Sequence, residues 1–305
     1  MIGKRLRLGD TIGLISPASP ENVNAIKQGI LFLKNLGFNV LEGKHLYDKW
    51  GYLAGKDKDR ASDVMEMFED KEVDMILCIR GGYGSSRILP YLNYDIIKKN
   101  PKIFAGFSDI TVLLNAFYEK CGLTTFHSPM GTSNLEDVVT LKSFIFTFME
   151  GYKPYIIKNT DEFKTSCINA GIVQGNLIGG NLGLICNSLG TPYEIDTKDK
   201  ILFIEEVSEA PYRVDRILTQ LLLSKKLQQC KGIILGQFKD CDLPHYERSL
   251  TLEEVLRDRL YNLDIPMFSG FCSGHDYPKL TLPIGARVIM DAKSGTINVL
   301  DAVVE

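Results

Sequence analysis

Four histidines and a single tryptophan are all of those types that the 305 residues contain, and nowhere do uncharged apolar residues run on for the about 18 positions that a membrane-spanning helix needs. No Cys-x-x-Cys pair and no His-x-x-Glu-His run is present, so a zinc centre has no ligand spacing to build on, and neither a metal nor another cofactor is expected. Charge of one sign is lacking too: 35 basic against 38 acidic residues leave a net charge of -3. With no basic stripe, nucleic acid is not an expected partner, and a small molecule is. Disulfide chemistry has little support, because the seven cysteines are odd in number, scattered, and set in apolar runs such as Met75 to Ile79. Met1 to Arg7 carries positive charge but no apolar stretch of signal-peptide length behind it. A cytoplasmic location is the expectation.

Hydrophobic residues at 45% and charged residues at 24% are those of an ordinary folded protein. The length exceeds what a single core usually serves, so two domains are expected, 1–155 and 170–305. In the first, apolar runs at Thr11–Ser16, Phe38–Leu41, Asp74–Ile79 and Ile103–Phe107 alternate with helical patterns. The clearest of these has Val23, Ile26, Ile30 and Leu33 on one face and Gly37 as its stop. Helices run from Asp57 to Glu69, from the glycine loop toward Leu92, and from Asp109 to Lys120. Strands separated in this way make right-handed crossovers and a mainly parallel sheet, so the fold is α/β, flavodoxin-like or doubly wound. The second domain reads as helix Asn181–Leu189, strand Ile201–Ile204, helix Pro211–Leu223 and strand Ile233–Phe238, then mostly β from Pro266 onward.

Ser108, in Ala105-Gly106-Phe107-Ser108-Asp109-Ile110-Thr111, stands where an apolar strand passes directly into a helix. A serine there is either a nucleophile lifted above the sheet edge, with the helix start and the Asp109 amide facing an oxyanion, or simply the helix cap. Arg80-Gly81-Gly82-Tyr83-Gly84 ends the neighbouring strand at the same edge. Its Gly82 amide is the candidate second oxyanion donor; a phosphate cradle, which would make the protein a nucleotide- or flavin-binding module, and a plain tight turn compete for the same glycines. Among the histidines, His275 is the strongest candidate base, in the Gly/Pro-punctuated loop Ser273 to Pro278, with His127 next; His45 and His245 lie in polar surroundings that suit the surface. The orienting carboxylate is placed on Glu205, which ends Ile201 to Ile204 at a strand's carboxyl tip while alternation turns Glu206 to the other face; a plain surface carboxylate is the competing reading. Cys272 lies near His275 but on no elbow.

Taken together these segments resemble the bacterial LD-carboxypeptidases, a serine-peptidase family that also contains the microcin C immunity proteins. The resemblance runs through Gly9 to Ala18, Tyr52 to Gly55, Arg60 to Asp63, the glycine loop, Gly106 to Thr111, Gly175 to Asn181, Leu202 to Glu206, and Gly274-His275 with Pro278 to Gly285. It implies a flavodoxin-like N-terminal domain and a smaller C-terminal α/β domain of the swivelling β/β/α kind. Ser108 falls on the family's serine, on the first domain; Glu205 and His275 fall on its glutamate and histidine, on the second, and His127 on no catalytic position. The active site would lie between the domains of a homodimer. The implied reaction removes the terminal D-alanine of a murein tetrapeptide during peptidoglycan recycling, aminoacyl-adenylate hydrolysis being the alternative. A zwitterionic peptide calls for a cationic clamp, for which Arg80, Arg213 and Lys279 are the candidates.

Overall fold

In the computed structural model, which describes residues 1–243 and 247–305, the chain divides into two units. The first comprises Met1–Lys153 with Thr281–Gly285 and Asp301–Glu305; the second comprises Pro154–Leu280 and Ala286–Leu300. His245, one of the four histidines, lies outside the described residues.

The first unit runs β1 (Thr11–Ile15), α1 (Val23–Asn35), β2 (Asn39–Glu42), α2 (Asp57–Glu69), β3 (Met75–Cys78), α3 (Ser85–Ile88), α4 (Tyr94–Lys99), β4 (Ile103–Gly106), α5 (Thr111–Cys121), β5 (Thr125–His127) and α6 (Val138–Glu150). The parallel strands lie in the order β2-β1-β3-β4-β5, which is the flavodoxin order. Burial on both faces explains why β3 and β4 are apolar at every position instead of alternating. Phe104 of β4 stacks on Phe68 of α2 and meets Phe117 of α5 edge-on at 4.8 Å. Phe126 of β5 is in register with Ala105, so strand alternation turns it away from Phe104. It packs instead on Phe148 of α6 at 4.9 Å. The expected helix toward Leu92 is broken: α3 gives way to a 3-10 turn over Leu89–Tyr91, and α4 starts again where the Asn93 side chain accepts from the amides of Asp95 and Ile96. Pro90 has no amide hydrogen with which to continue the α ladder.

The second unit contains β6 (Tyr155–Ile157), β7 (Ser166–Asn169), β8 (Ile172–Asn181), α7 (Leu182–Asn187), β9 (Ile201–Val207), α8 (Pro211–Leu223), β10 (Gly232–Lys239), α9 (Leu252–Leu260) and β11 (Met267–Ser269). The chain then gives β12 (Leu282–Ile284), β13 (Arg287–Asp291) and β14 (Thr296–Val299). An eight-stranded mixed sheet has β8-β9-β10-β11 parallel at its centre and antiparallel strands at either side, in the order β6-β14-β13-β8-β9-β10-β11-β7. Two pieces of the 170–305 stretch group with the first unit: β12 pairs antiparallel with β5, and Val304 bridges to Gly3. Sequence reading passed over α9, whose signal is a capping box in which Thr251 and Glu254 satisfy each other's backbone amides. No helix among the described residues is long and apolar enough to cross a membrane.

Candidate active site

Strand β4 ends at Gly106, Phe107 is extended, and Ser108 takes φ 63, the left-handed region that a non-glycine residue occupies at a cost of about 1–2 kcal/mol. A 3-10 turn from Ser108 to Ile110 then leads into α5. The turn is this sharp because position 106 is a glycine: a Cβ there would lie 2.9 Å from the Ile110 side chain. Strand, strained serine and returning helix form the elbow that exposes a hydroxyl at the carboxyl edge of a parallel sheet. The Asp109 N–H, at the first turn, is one that a helix cannot satisfy internally.

The glycine loop presses on this elbow through Gly81, where a Cβ would stand 2.9 Å from the Ser108 Cβ, 3.1 Å from its Oγ and 3.2 Å from the Asp109 nitrogen. Residues on either side hold the loop. The Ser19 amide donates to the Gly81 carbonyl at 3.3 Å, and the Ser19 hydroxyl accepts from the Tyr83 amide at 3.0 Å. Gly82, at φ 109, passes so close to Ser19 that a Cβ would sit 2.4 Å from its Oγ. Arg60, only 1% exposed, donates to the carbonyls of Gly84 (2.9 Å) and Pro17 and pairs with Asp57, which also pairs with Arg87 at 3.0 Å. The buried Asp109 carboxylate, raised by burial, accepts from the Ser85 amide at 2.7 Å. That last bond bears on the phosphate-cradle reading: α3 is four residues long and its first amide already faces a carboxylate, which opposes an anion.

In the second unit, Glu205 lies on β9 opposite Asn181 of β8, fully buried, and its Oε2 is 2.6 Å from Nδ1 of His275. Glu205 Oε1 has no hydrogen-bond partner among the described residues. The neighbouring Glu206 is buried as well but serves another face: it accepts from Asn181 Nδ2 (2.7 Å), the Gly183 amide (2.8 Å) and the Val207 amide (2.8 Å). Burial raises its carboxyl, and these bonds oppose the rise. Glu206 thus fixes the start of α7, while Glu205 meets the imidazole. The loop that carries His275 passes over a bulge in β10, where Leu235 pairs with Ile204 and Phe238 with Glu206, leaving Gly236 and Gln237 against one residue of β9. Gly274, at φ 144, fits between Gln237 and Glu205, each about 3.1 Å from where a Cβ would be.

Lys279 is buried beside this pair. Its Nζ donates to the Gly274 carbonyl at 2.7 Å and lies 4.6 Å from the Tyr277 ring centroid; burial pulls its pKa down to about 8 against the upward pull of Glu205. The other two clamp candidates differ from it. Arg80 is part-exposed beside Glu21 at 3.6 Å, and Arg213 lies exposed on α8 with Tyr212 and Glu209. His127 is buried on β5 with its ring edge-on to Phe107, and His45 is half-buried with Nδ1 2.8 Å from Asp48. The Cys272 thiol is buried and pushed up to about 11, far from the thiolate a nucleophile needs. Among the described residues, His45, Asp48 and Asp59 are the grouping close enough to hold a cation, and none belongs to the elbow or to the His275 pair. Sequence reading missed the site roles of Ser19, Arg60 and Gln237; Arg60 sits inside and Ser19 one residue beyond the segments that carry the family resemblance, while Gln237 gives no signal before the bulge is seen.

A strained serine at a strand-to-helix turn and a buried carboxylate on an imidazole are the parts that hydrolases acting through an acyl intermediate use. Comparison with known proteins places the chain among the carboxypeptidases. Residues 12–128 match the LD-carboxypeptidase N-terminal domain and residues 174–290 the LD-carboxypeptidase C-terminal domain, and the chain belongs to this family of peptidases. It is 42% identical over 298 residues to a probable murein peptide carboxypeptidase of Bacillus subtilis (strain 168), covering 96% of this chain and 92% of that one. The structure of MccF in complex with glutamyl sulfamoyl guanosine is similar with a TM-score of 0.92 at 29% identity, covering 100% of this chain and 99% of that one. That of a muramoyltetrapeptide carboxypeptidase from Oxalobacter formigenes gives 0.84 at 30% identity, covering 95% and 99%.

Proposed function

We propose that this protein is a serine carboxypeptidase that hydrolyses the L,D-amide bond of a murein tetrapeptide and releases its terminal D-alanine. Ser108 is the nucleophile, His275 the general base and Glu205 the group that orients it. The observation that carries the reading is the pair of geometries that a structural role does not require: a serine held at φ 63 where a cap needs no such strain, and a fully buried carboxylate placed 2.6 Å from an imidazole nitrogen. With Nδ1 turned to Glu205, Nε2 takes the Ser108 hydroxyl proton as Oγ attacks the amide carbon. The tetrahedral oxyanion is met by the amides of Asp109 and Gly82, each such donor contributing roughly 3 kcal/mol. The imidazolium then passes its proton to the leaving nitrogen as the C–N bond breaks, and water, deprotonated by His275, clears the acyl-enzyme. The 42% identical relative, a probable murein peptide carboxypeptidase, supports a murein peptide as the substrate.

A cationic clamp for the peptide's carboxylate is assigned to Arg80, Arg213 and Lys279, the partly desolvated Lys279 foremost. The free cysteines fit a reducing cytoplasm, and a homodimer follows the family resemblance; light scattering in solution checks the latter. A second reading, hydrolysis of aminoacyl-nucleotide analogues, is favoured by the 0.92 TM-score to MccF. Both are tested by giving one preparation murein tetrapeptide and a glutamyl sulfamoyl nucleotide. Mass measurement is expected to show D-alanine release at the higher kcat/KM, and a preference for the nucleotide would move the protein to the second reading.

A further inference from the structure

The bulge in β10 adds Gly236 and Gln237 opposite one residue of β9, and the side chain it re-aims lies under the loop that carries His275. Gln237 touches that loop before and after the histidine. Its backbone amide donates to the Ser273 carbonyl at 3.1 Å, its Oε1 accepts from the Asp276 amide at 3.0 Å, and its Nε2 donates to the Pro278 carbonyl at 3.2 Å. A primary amide can give and accept in the same plane at this reach and stays uncharged at every working pH. Room for it exists because residue 274 is glycine: a Cβ there would lie 3.1 Å from Gln237 Cβ and 3.1 Å from Glu205 Oε2. Gly236 is required likewise, since a Cβ at that position would stand 2.5 Å from the Ser273 carbonyl oxygen. The partner carboxylate is on β9, beside β10 and opposite the bulge, so one sheet fixes Glu205 directly and His275 through Gln237.

We infer that Gln237 is a positioning residue that holds the His275 ring on Glu205, acting through the backbone at Ser273, Asp276 and Pro278. Its hydrogen bonds go to the loop backbone, so its effect is on the fraction of molecules whose imidazole is aligned. The inference rests on His275 being the base of the proposed reaction, but the alignment itself has a readout that needs no turnover, the downfield proton resonance of Nδ1–H shared with Glu205.

Two variants test it in the full chain. Gln237→Ala is expected to lower kcat 10- to 100-fold with KM within twofold, and to abolish the downfield resonance. Gln237→Glu is expected to depend on pH in a way the wild type does not. Protonated, its carboxyl accepts from Asp276 and donates to Pro278 as the amide does; ionised, it repels the Pro278 carbonyl and adds a charge beside Glu205. A carboxyl in this position lies beside the buried Glu205, which lifts it above the ordinary ~4.3, so the variant's kcat relative to wild type should rise toward one as the pH is lowered to about 5 and approach the alanine value at pH 8, with the resonance following. A kcat within twofold of wild type and an intact resonance for Gln237→Ala would overturn the inference. Should that variant not fold, a ratio for Gln237→Glu that stays flat from pH 5 to 8 overturns it equally. If peptide hydrolysis survives Ser108→Ala while the resonance still depends on Gln237, the reading of the reaction fails and the positioning role stands.

Discussion

The loop Arg80–Ser85 in the first unit and the loop Ser273–Leu280 in the second each hold irregular backbone beside a reactive side chain, and they are held by different means. The first is fastened by buried charge: the Arg60 guanidinium on the Gly84 carbonyl at 2.9 Å and the Asp109 carboxylate on the Ser85 amide at 2.7 Å. The second is fastened mainly by the neutral amide of Gln237 and the Ser273 hydroxyl, which donates to the Leu280 carbonyl at 2.9 Å. Its one buried cation, Lys279, has its pKa pulled down to about 8 by burial. A guanidinium stays charged at any working pH, so the Arg60 contact is indifferent to pH, whereas the buried Asp109 carboxylate and the buried Lys279 are not. What separates them is chemistry as well. The first presents backbone donors and the second an imidazole.

The largest effect belongs to the elbow. Ser108→Ala is expected to lower kcat by about 10⁴-fold or more without unfolding the protein, measured by D-alanine release and by circular dichroism. Ser108→Gly should be equally inactive yet more stable by about 1 kcal/mol, because glycine occupies φ 63 without strain. A destabilised glycine variant would show that the serine hydroxyl, and not the backbone, holds the turn.

Next in size is the contrast between adjacent acids on β9. Glu205→Gln should cut kcat about 10³- to 10⁴-fold, since an amide cannot stabilise the imidazolium. Glu206→Gln should cost less than tenfold in kcat but about 1–3 kcal/mol in stability, since the new NH₂ must face the amides that the carboxylate now accepts. Urea unfolding of the two variants alongside their kinetics separates these outcomes, and equal kinetic losses would count against the assignment to Glu205.

The smallest effect is the pH response of the second loop. Lys279 titrates near pH 8 in the folded protein and near pH ~10.4 in an unfolded chain, so between those values the unfolded chain binds more protons and stability rises with pH. Below about pH 8 both states are charged and the difference is constant. Over the same window kcat should fall severalfold, because the group on the Gly274 carbonyl loses the charge that strengthens its hydrogen bond. Lys279→Arg keeps its charge, and its profile should be flat from pH 7 to 10. Parallel profiles for the wild type and Lys279→Arg would separate the limb from Lys279.

Much of this architecture is written locally in the chain. Apolar runs spaced by amphipathic helices determine a parallel sheet, and Gly106-Phe107-Ser108 at a strand-to-helix junction marks the elbow, because strand, turn and helix signals all act over a few residues. Alternation along β9 determines that Glu205 and Glu206 cannot serve the same face. What tertiary structure alone decided is which groups meet across long separations. His275 and Glu205 are 70 residues apart, and nothing in either segment encodes the 2.6 Å between them. The glycine pressed against Ser108 is Gly81, beside the Gly82 that sequence favoured, a distinction that rests on backbone torsions no composition reveals. Gln237 reads as one polar residue in an apolar strand until the bulge turns it under the histidine loop, since a bulge arises from how two strands pair and not from either strand by itself.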